Sequence, residues 1–300
     1  MSNWLSQTRK RISRKSLIWL TRLIQLFANF VPYRVGVLAG GMVGFLAFYL
    51  LPRERNRALA HLTQVFEDKD RLWIRKTARR SFIHLGKSLL EIMLMSPWRA
   101  SSVVDIKGLD NLDKAFERGR GVVYVTGHIG NWELAAYAVA AKKYPISVIA
   151  APLEPKQVND MIVRLREKLG VRTILRSRPG ATRELIRVFK ENRALAILID
   201  QDTDVEGAFV DFLGRSAWTP TAAASMAIKF DAPVLFGCIK RNKNDRHTFT
   251  IEGPLDLILT GNRDQDIIDN TAMLTKKIEA CILKTPEQWV WMHRRWRRQP

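Results

Sequence analysis

An α/β layered fold is predicted for this 300-residue chain, and three observations predict it. Apolar residues make up 47% of the sequence, ample for a buried core. From Val103 onward, short β-rich runs alternate with amphipathic stretches, the texture of helices layered on a sheet. Before that point the pattern is helical, first apolar and then basic, which marks an N-terminal appendage.

Taken in order, the first sixty residues raise the question of a membrane. Arg9, Lys10, Arg11, Arg14 and Lys15 form a basic run. LIWLTRLIQLFANFV follows, with Leu17, Leu20, Ile24 and Phe27 at helical spacing and Arg22 and Gln25 interrupting, a pattern suited to a helix lying at an interface. Val35 to Leu51 then run without charge, near the lower limit of ~17 residues for crossing a bilayer. Gly36, Gly40, Gly41 and Gly44 weaken this stretch as a helix in water but favour close packing in a membrane. Arg34 precedes it and Arg53, Arg55 and Arg57 follow, so the flanks give no orientation. A shallow or re-entrant course would keep both flanks on anionic headgroups; the alternative is a buried core helix. A cleaved signal peptide fits poorly, because the apolar stretch starts late and lacks a small-residue cleavage site.

Residues 53–95 continue helical and basic, with Leu59, Leu62, Phe66, Leu72, Ile74, Phe82, Leu85, Leu89 and Ile92 at roughly helical intervals. Strands are expected at 121–127, 145–152, 171–175, 194–200, 232–241 and 248–254. Helices are expected between them, at 131–143, 155–169, 180–192, 219–230 and 265–284. At the start of the fourth of these, Thr219-Pro220 reads as N-cap and first helical residue.

Lys and Arg outnumber Asp and Glu by 49 to 29, a formal charge of +20 that attracts polyanions. Nucleic acid, anionic lipid and an acidic carrier protein all fit that field, and charge alone does not choose among them. Cys238 and Cys281 lie far apart in the sequence in apolar surroundings, with neither a disulfide framework nor zinc spacing, and read as buried thiols in a reducing compartment.

The segment GVVYVTGHIGNWELAAYAVA, residues 121–140, joins a hydrophobic strand, a glycine-bracketed turn and an amphipathic helix. His128 lies just past the strand. Asn131 is placed to cap the helix, with Trp132 and Glu133 in its first turn, while Gly127 and Gly130 permit unusual backbone angles. On a continuous helix His128 and Glu133 would point apart, but the turn removes that obstacle. Glu133 is then expected to accept a hydrogen bond from one imidazole nitrogen, leaving the other as a general base. That is the histidine-carboxylate half of a hydrolytic triad without its serine. The chain has no G-x-S-x-G elbow, and neither cysteine lies beside a histidine. An acceptor that brings its own hydroxyl to an acyl thioester would explain the omission. The plainer reading makes His128 a loop histidine and Glu133 a carboxylate favoured by the helix dipole.

GHIGNWE resembles the H-x4-D/E motif of glycerolipid acyltransferases, in the form found in the lipid A biosynthesis acyltransferases. RLREKLGVRTILR, GATRELIRVFKENRALAILIDQD, FVDFLGRSAWTPTAAASMAIKFDAPVLFGCIKR and TPEQWVWMHRRWRR resemble that family in the same order, covering roughly residues 15–298. The resemblance implies a central mixed sheet flanked by helices, with residues 1–60 as membrane-associated helices and 61–300 as the acyltransferase catalytic domain. It further implies an acyl carrier protein thioester as donor, a Kdo-bearing lipid A precursor as acceptor, and attachment to the bacterial inner membrane with the catalytic domain facing the cytoplasm. His128 and Glu133 take the catalytic positions, and no cofactor or metal is required.

Arg166 matches a basic position of the family and is expected to contact a substrate phosphate or the developing oxyanion. Asp200, ending an apolar strand, is expected to bind acceptor hydroxyls or to cap the next turn, and Asn131 to take part in substrate binding. Many members carry an arginine after the second strand, where this chain has Ile149, Ala150, Ala151 and Pro152, a departure that bears on the acceptor. His61, His84, His247 and His293 read as structural or surface residues. The tail from Trp289 to Arg298 interleaves aromatics with cations and suits an interface of headgroups or phosphates. The alternatives are an acyltransferase acting on a lysophospholipid or other glycolipid, and a non-enzymatic basic protein binding membrane or nucleic acid. GHIGNWE weighs against the last, since binding alone needs no base with a partner.

Overall fold

The computed structural model describes residues 31–176 and 178–300, so the basic run and the amphipathic stretch ending at Phe30 lie outside the described residues. The described chain opens with three helices, α1 (Tyr33–Leu50), α2 (Pro52–Val65) and α3 (Arg71–Met93). Pro52 begins α2 with a fixed φ and no N–H to satisfy, which turns the chain sharply after α1. Asp70 starts α3 by accepting the Trp73 N–H at 2.6 Å. The helical stretch expected over 53–95 is thus two helices, broken at the charged turn before Asp70.

Glycine decides how α1 and α3 meet. Gly40 and Gly44 lie against Gly86 so closely that a Cβ on any of the three would strike the backbone of the other helix. The opposite face of α1 exposes Val35, Leu38, Met42, Val43, Leu46 and Leu50. Among the described residues, then, one face of α1 packs and the other presents large apolar side chains outward, unlike a core helix buried all round.

Beyond α4 (Pro97–Val103) the chain builds the sheet: β1 (Val104–Lys107), α5 (Leu109–Phe116), β2 (Val122–Thr126), α6 (Trp132–Ala141), β3 (Ile146–Ala150), α7 (Lys156–Lys168), β4 (Val171–Leu175), α8 (Ala181–Lys190) and β5 (Ala194–Leu198). A hairpin of β6 (Gly207–Phe212) and β7 (Arg215–Pro220) follows, then α9 (Ala222–Phe230), β8 (Val234–Arg241), β9 (His247–Leu255) and α10 (Arg263–Lys284). The main sheet has seven strands in the order β1-β9-β8-β2-β5-β3-β4. Strands β8, β2, β5, β3 and β4 run parallel, and β9 turns back antiparallel on β8 with β1 parallel to it. This is the expected mixed α/β sheet. Strand β2 is buried throughout and feeds a core on each side, Val123 and Val125 to one and Val122 and Tyr124 to the other.

All six expected strands and five expected inter-strand helices are present, with ends moved by a few residues. Strand β1, the β6–β7 hairpin and helices α4 and α5 are additions. Thr219 and Pro220 need correction: they end β7, Thr221 occupies the N-cap position, and α9 starts at Ala222. Thr219 is paired with Ala208 in the hairpin, and its hydroxyl accepts Arg295 Nη2 at 2.5 Å. The tail needs a larger correction, because it folds inward instead of facing an interface. Trp291 and Arg295 are fully buried, Arg295 lies 4.4 Å from the Phe212 ring centroid, and Arg297 and Arg298 pair with Asp202 and Asp204.

A side chain at Gly44 has nowhere to go but into α3. Gly44→Leu is expected to destabilise the fold by at least about 2 kcal/mol, the scale of overpacking, whereas Leu46→Ala on the exposed face stays within about 0.5 kcal/mol. Thermal unfolding of both variants in detergent measures the difference.

Candidate active site

Strands β2 and β5 run the same way and pair Thr126 with Leu198, so the residues two positions beyond each leave the sheet side by side. Those residues are His128 and Asp200. The Asp200 carboxylate is fully buried. Its Oδ1 lies 2.8 Å from His128 Nδ1, and its Oδ2 accepts the His128 backbone N–H at 2.7 Å and the Trp289 indole N–H at 2.7 Å. Burial alone would push this carboxyl up, but His128 and Trp289 together hold it below the ordinary aspartate value. An ionised acceptor at Nδ1 fixes the ring proton there and leaves Nε2 as the basic nitrogen. The imidazole packs edge-on against Trp132, ring centroids 4.8 Å apart, and is 21% exposed.

Two glycines make this approach possible. A Cβ on Gly127 would sit 3.0 Å from Asp200 Oδ2, and Gly130 adopts φ +61° while its N–H donates to the Gln288 carbonyl at 2.9 Å.

The expected hydrogen bond from His128 to Glu133 is replaced by the one to Asp200. Glu133, in the first turn of α6, instead takes Arg166 of α7 in a two-pronged pair at 2.9 and 2.5 Å and the Tyr137 hydroxyl at 3.3 Å. Burial works against the charge on Arg166, but Glu133 more than restores it and raises the guanidinium above its ordinary value. Arg166 is thus partnered by protein, while still lining the cavity described below.

Asp200 and Asn131, expected among the substrate-binding groups, are both buried, and neither is among the residues lining that cavity. Asn131 caps α6 as expected, accepting the Leu134 N–H at 3.3 Å, and its amide donates to Glu91 at 2.7 Å. Glu91, on α3, is itself buried against Arg241 at 2.7 Å and His247 at 2.9 Å, and takes the Tyr33 hydroxyl. Burial opposes the charge on Glu91, yet these partners bring its carboxyl down to about 2. His84, about two turns earlier on α3, hydrogen-bonds the backbone of Gly130. The turn carrying His128 is therefore held from below by α3 and from the side by the tail.

His128, Trp132, Glu133 and Arg166 border a cavity of about 690 Å³, within the range of small-molecule sites. Its depth is apolar, lined by Val139, Ile146, Val148, Ile149, Ile162 and Val163. A polar rim over an apolar interior suits a ligand with one reactive end and one fatty end. Neither cysteine lines it; Cys238 and Cys281 are free and half-buried, and near enough for each to influence the other's ionisation although distant in sequence. Among the described residues, no cluster of three or more His, Cys, Asp or Glu side chains is placed to hold a metal ion.

The bacterial lipid A biosynthesis acyltransferase family matches residues 6–298. Among curated relatives, the phosphatidylinositol mannoside acyltransferase of Mycolicibacterium smegmatis is 25% identical over 220 residues, covering 72% of this chain and 70% of that protein. The lipid A biosynthesis palmitoleoyltransferase of Escherichia coli is 24% identical over 277 residues, covering 90% and 87%. The lipid A biosynthesis lauroyltransferase of the same organism is 21% identical over 295 residues, covering 95% and 92%.

Two histidines flanking this site bear on stability. Burial, with Arg241 nearby, holds His84 neutral down to about 3, and burial together with His128 holds His293 neutral to about 4, against 6.5 for a free imidazole. Below pH ~6.5 the unfolded chain gains protons that the folded chain refuses, so stability falls with pH by up to about 1.4 kcal/mol per unit for each histidine. Urea unfolding between pH 7.5 and 5 is expected to show this slope, and His84→Gln to remove about half of it. A flat profile over that window contradicts the buried-neutral assignment.

Proposed function

The chain belongs to the bacterial lipid A biosynthesis acyltransferase family, and from that membership and the site geometry we propose that it moves a fatty acyl group from an acyl carrier protein thioester to a hydroxyl of a lipid A precursor of the Kdo-lipid IVA type. Acyl transfer to a glycolipid is the family activity; donor, acceptor and residue roles are the proposal. The observation that carries it is the Asp200–His128 pair opening on a cavity with apolar depth.

In the proposed reaction, His128 Nε2 removes the proton from the acceptor hydroxyl as its oxygen attacks the thioester carbonyl carbon. Asp200 stabilises the imidazolium without taking its proton. The tetrahedral intermediate then collapses, the carbon–sulfur bond breaks, and the imidazolium returns the proton to the departing thiolate. One ester forms, one thioester is lost, and no acyl-enzyme intervenes. The ion pair of Glu133 and Arg166 completes the rim beside His128, with the remaining Arg166 N–H groups facing substrate.

A glycosylated phospholipid is the second acceptor to weigh, because one similar protein is named a phosphatidylinositol mannoside acyltransferase. The proposal includes attachment to the inner membrane with the catalytic side toward the cytoplasm; the outward apolar face of α1 and exposed Arg53, Arg71, Arg75, Lys76 and Arg80 on α2 and α3 support the membrane contact, and the orientation rests on the family reading alone.

His128→Ala and Asp200→Asn are each expected to lower acyl transfer on the order of 10² to 10⁴-fold while leaving detergent extraction and folding unchanged. The assay is mass spectrometry of lipids formed from acyl carrier donors of several lengths and from three acceptors: a lipid A precursor, a mannosylated phosphatidylinositol and a lysophospholipid. Undiminished turnover by folded His128→Ala protein would refute the base.

A further inference from the structure

Arg176 follows the last residue of β4, and its backbone N–H donates to the Ala150 carbonyl at 3.0 Å, which fixes it at the edge of the sheet. Its side chain lines the cavity and is half-buried. No hydrogen-bond acceptor or carboxylate engages its guanidinium among the described residues. Neighbouring arginines differ: Arg166 holds Glu133, Arg172 holds Glu191, and Arg193 holds Ser147. Around Arg176 the lining offers Ala150, Ala151 and Leu153, which leave room and supply no charge. Of the lining carboxylates, Glu133 is taken by Arg166, and Glu206 is exposed and forms no ion pair with Arg176.

A half-buried guanidinium at a cavity wall, whose donors meet no acceptor of the protein among the described residues, is open to an anion supplied from outside. We propose that Arg176 binds a substrate phosphate, rather than a carboxylate of the protein, at the outer end of the cavity. This rests on the acyltransferase reading above, in which both substrates carry phosphate: the acceptor on its sugar or lipid headgroup, the donor on the arm that bears the thioester. The planar fork of arginine matches two oxygens of either. Three strand spacings separate β2 from β4 in the order β2-β5-β3-β4, roughly 14 Å of sheet between the base and this residue. Arg176 therefore fixes the substrate at a distance from the reacting hydroxyl and selects it without touching the chemistry.

The test is Arg176→Gln, with Arg176→Lys beside it, in steady-state transfer with each substrate varied in turn. The variant is expected to raise KM for one substrate about ten- to hundredfold, with kcat within about twofold, and lysine to recover part of the loss. A phosphatase-treated acceptor distinguishes the sources, as does acyl-pantetheine in place of the phosphorylated donor. Whichever removal brings the wild type to the variant's KM, and leaves the variant unchanged, identifies the phosphate bound. Unchanged KM for both substrates overturns the proposal, as does an equal rise with the phosphate-free forms. Should no transfer occur at all, the acyltransferase reading fails separately. Binding of 4′-phosphopantetheine and of a phosphorylated glycolipid in micelles by the His128→Ala protein, with and without Arg176→Gln, then still decides the site: tighter binding with Arg176 supports it, and equal binding of both ligands contradicts it.

Discussion

Asp200 buries a negative charge at the end of β5, and a charge there is tolerable only where donors surround it. Three do: the backbone N–H and ring of His128, and the indole N–H of Trp289. Meeting that demand constrains much of the chain. Strand β2 must lie beside β5 in register, residue 127 must be glycine-sized, and the tail must fold back over the sheet ends. The same bonds that make the buried aspartate stable aim the imidazole, so the orientation of the proposed base and the packing of the C-terminus have one physical origin.

A second buried carboxylate repeats the logic on the other side. Glu91 satisfies its charge with Arg241 and His247 from β8 and β9, and its remaining acceptor capacity goes to Asn131 and Tyr33. Helix α3 thereby joins the apolar outer surface to the turn that carries His128. Its glycine face seats α1, whose far side is apolar, and its polar face grips the turn that carries His128.

The sheet and most helices were legible because parallel strands buried on both faces are written as continuous apolar runs, such as GVVYVTG and ALAILID. The hairpin of β6 and β7 was not, since FVDFLGRSAW carries exposed charge and lies outside the main sheet. His128 and the cap by Asn131 were legible for the same reason: each depends on a turn only a few residues long. Its partner was not. Glu133 is near in sequence and Asp200 near in space, 72 residues away, and only strand pairing brings the latter to the ring. The tail misled through composition, because tryptophan and arginine suit a membrane interface and a buried, acid-paired lid equally well. Asp202 and Asp204, in the loop just past Asp200, were the available hint that those arginines had partners within the chain.

The central claim is that Asp200, and not Glu133, holds the imidazole of His128. The most direct measurement is nitrogen and proton NMR of the histidine rings in selectively labelled protein, comparing the wild type with Asp200→Asn and Glu133→Gln. The account predicts a strongly hydrogen-bonded Nδ1 proton on His128 in the wild type and in Glu133→Gln, and its loss in Asp200→Asn. Survival of that signal in Asp200→Asn together with its disappearance in Glu133→Gln would contradict it.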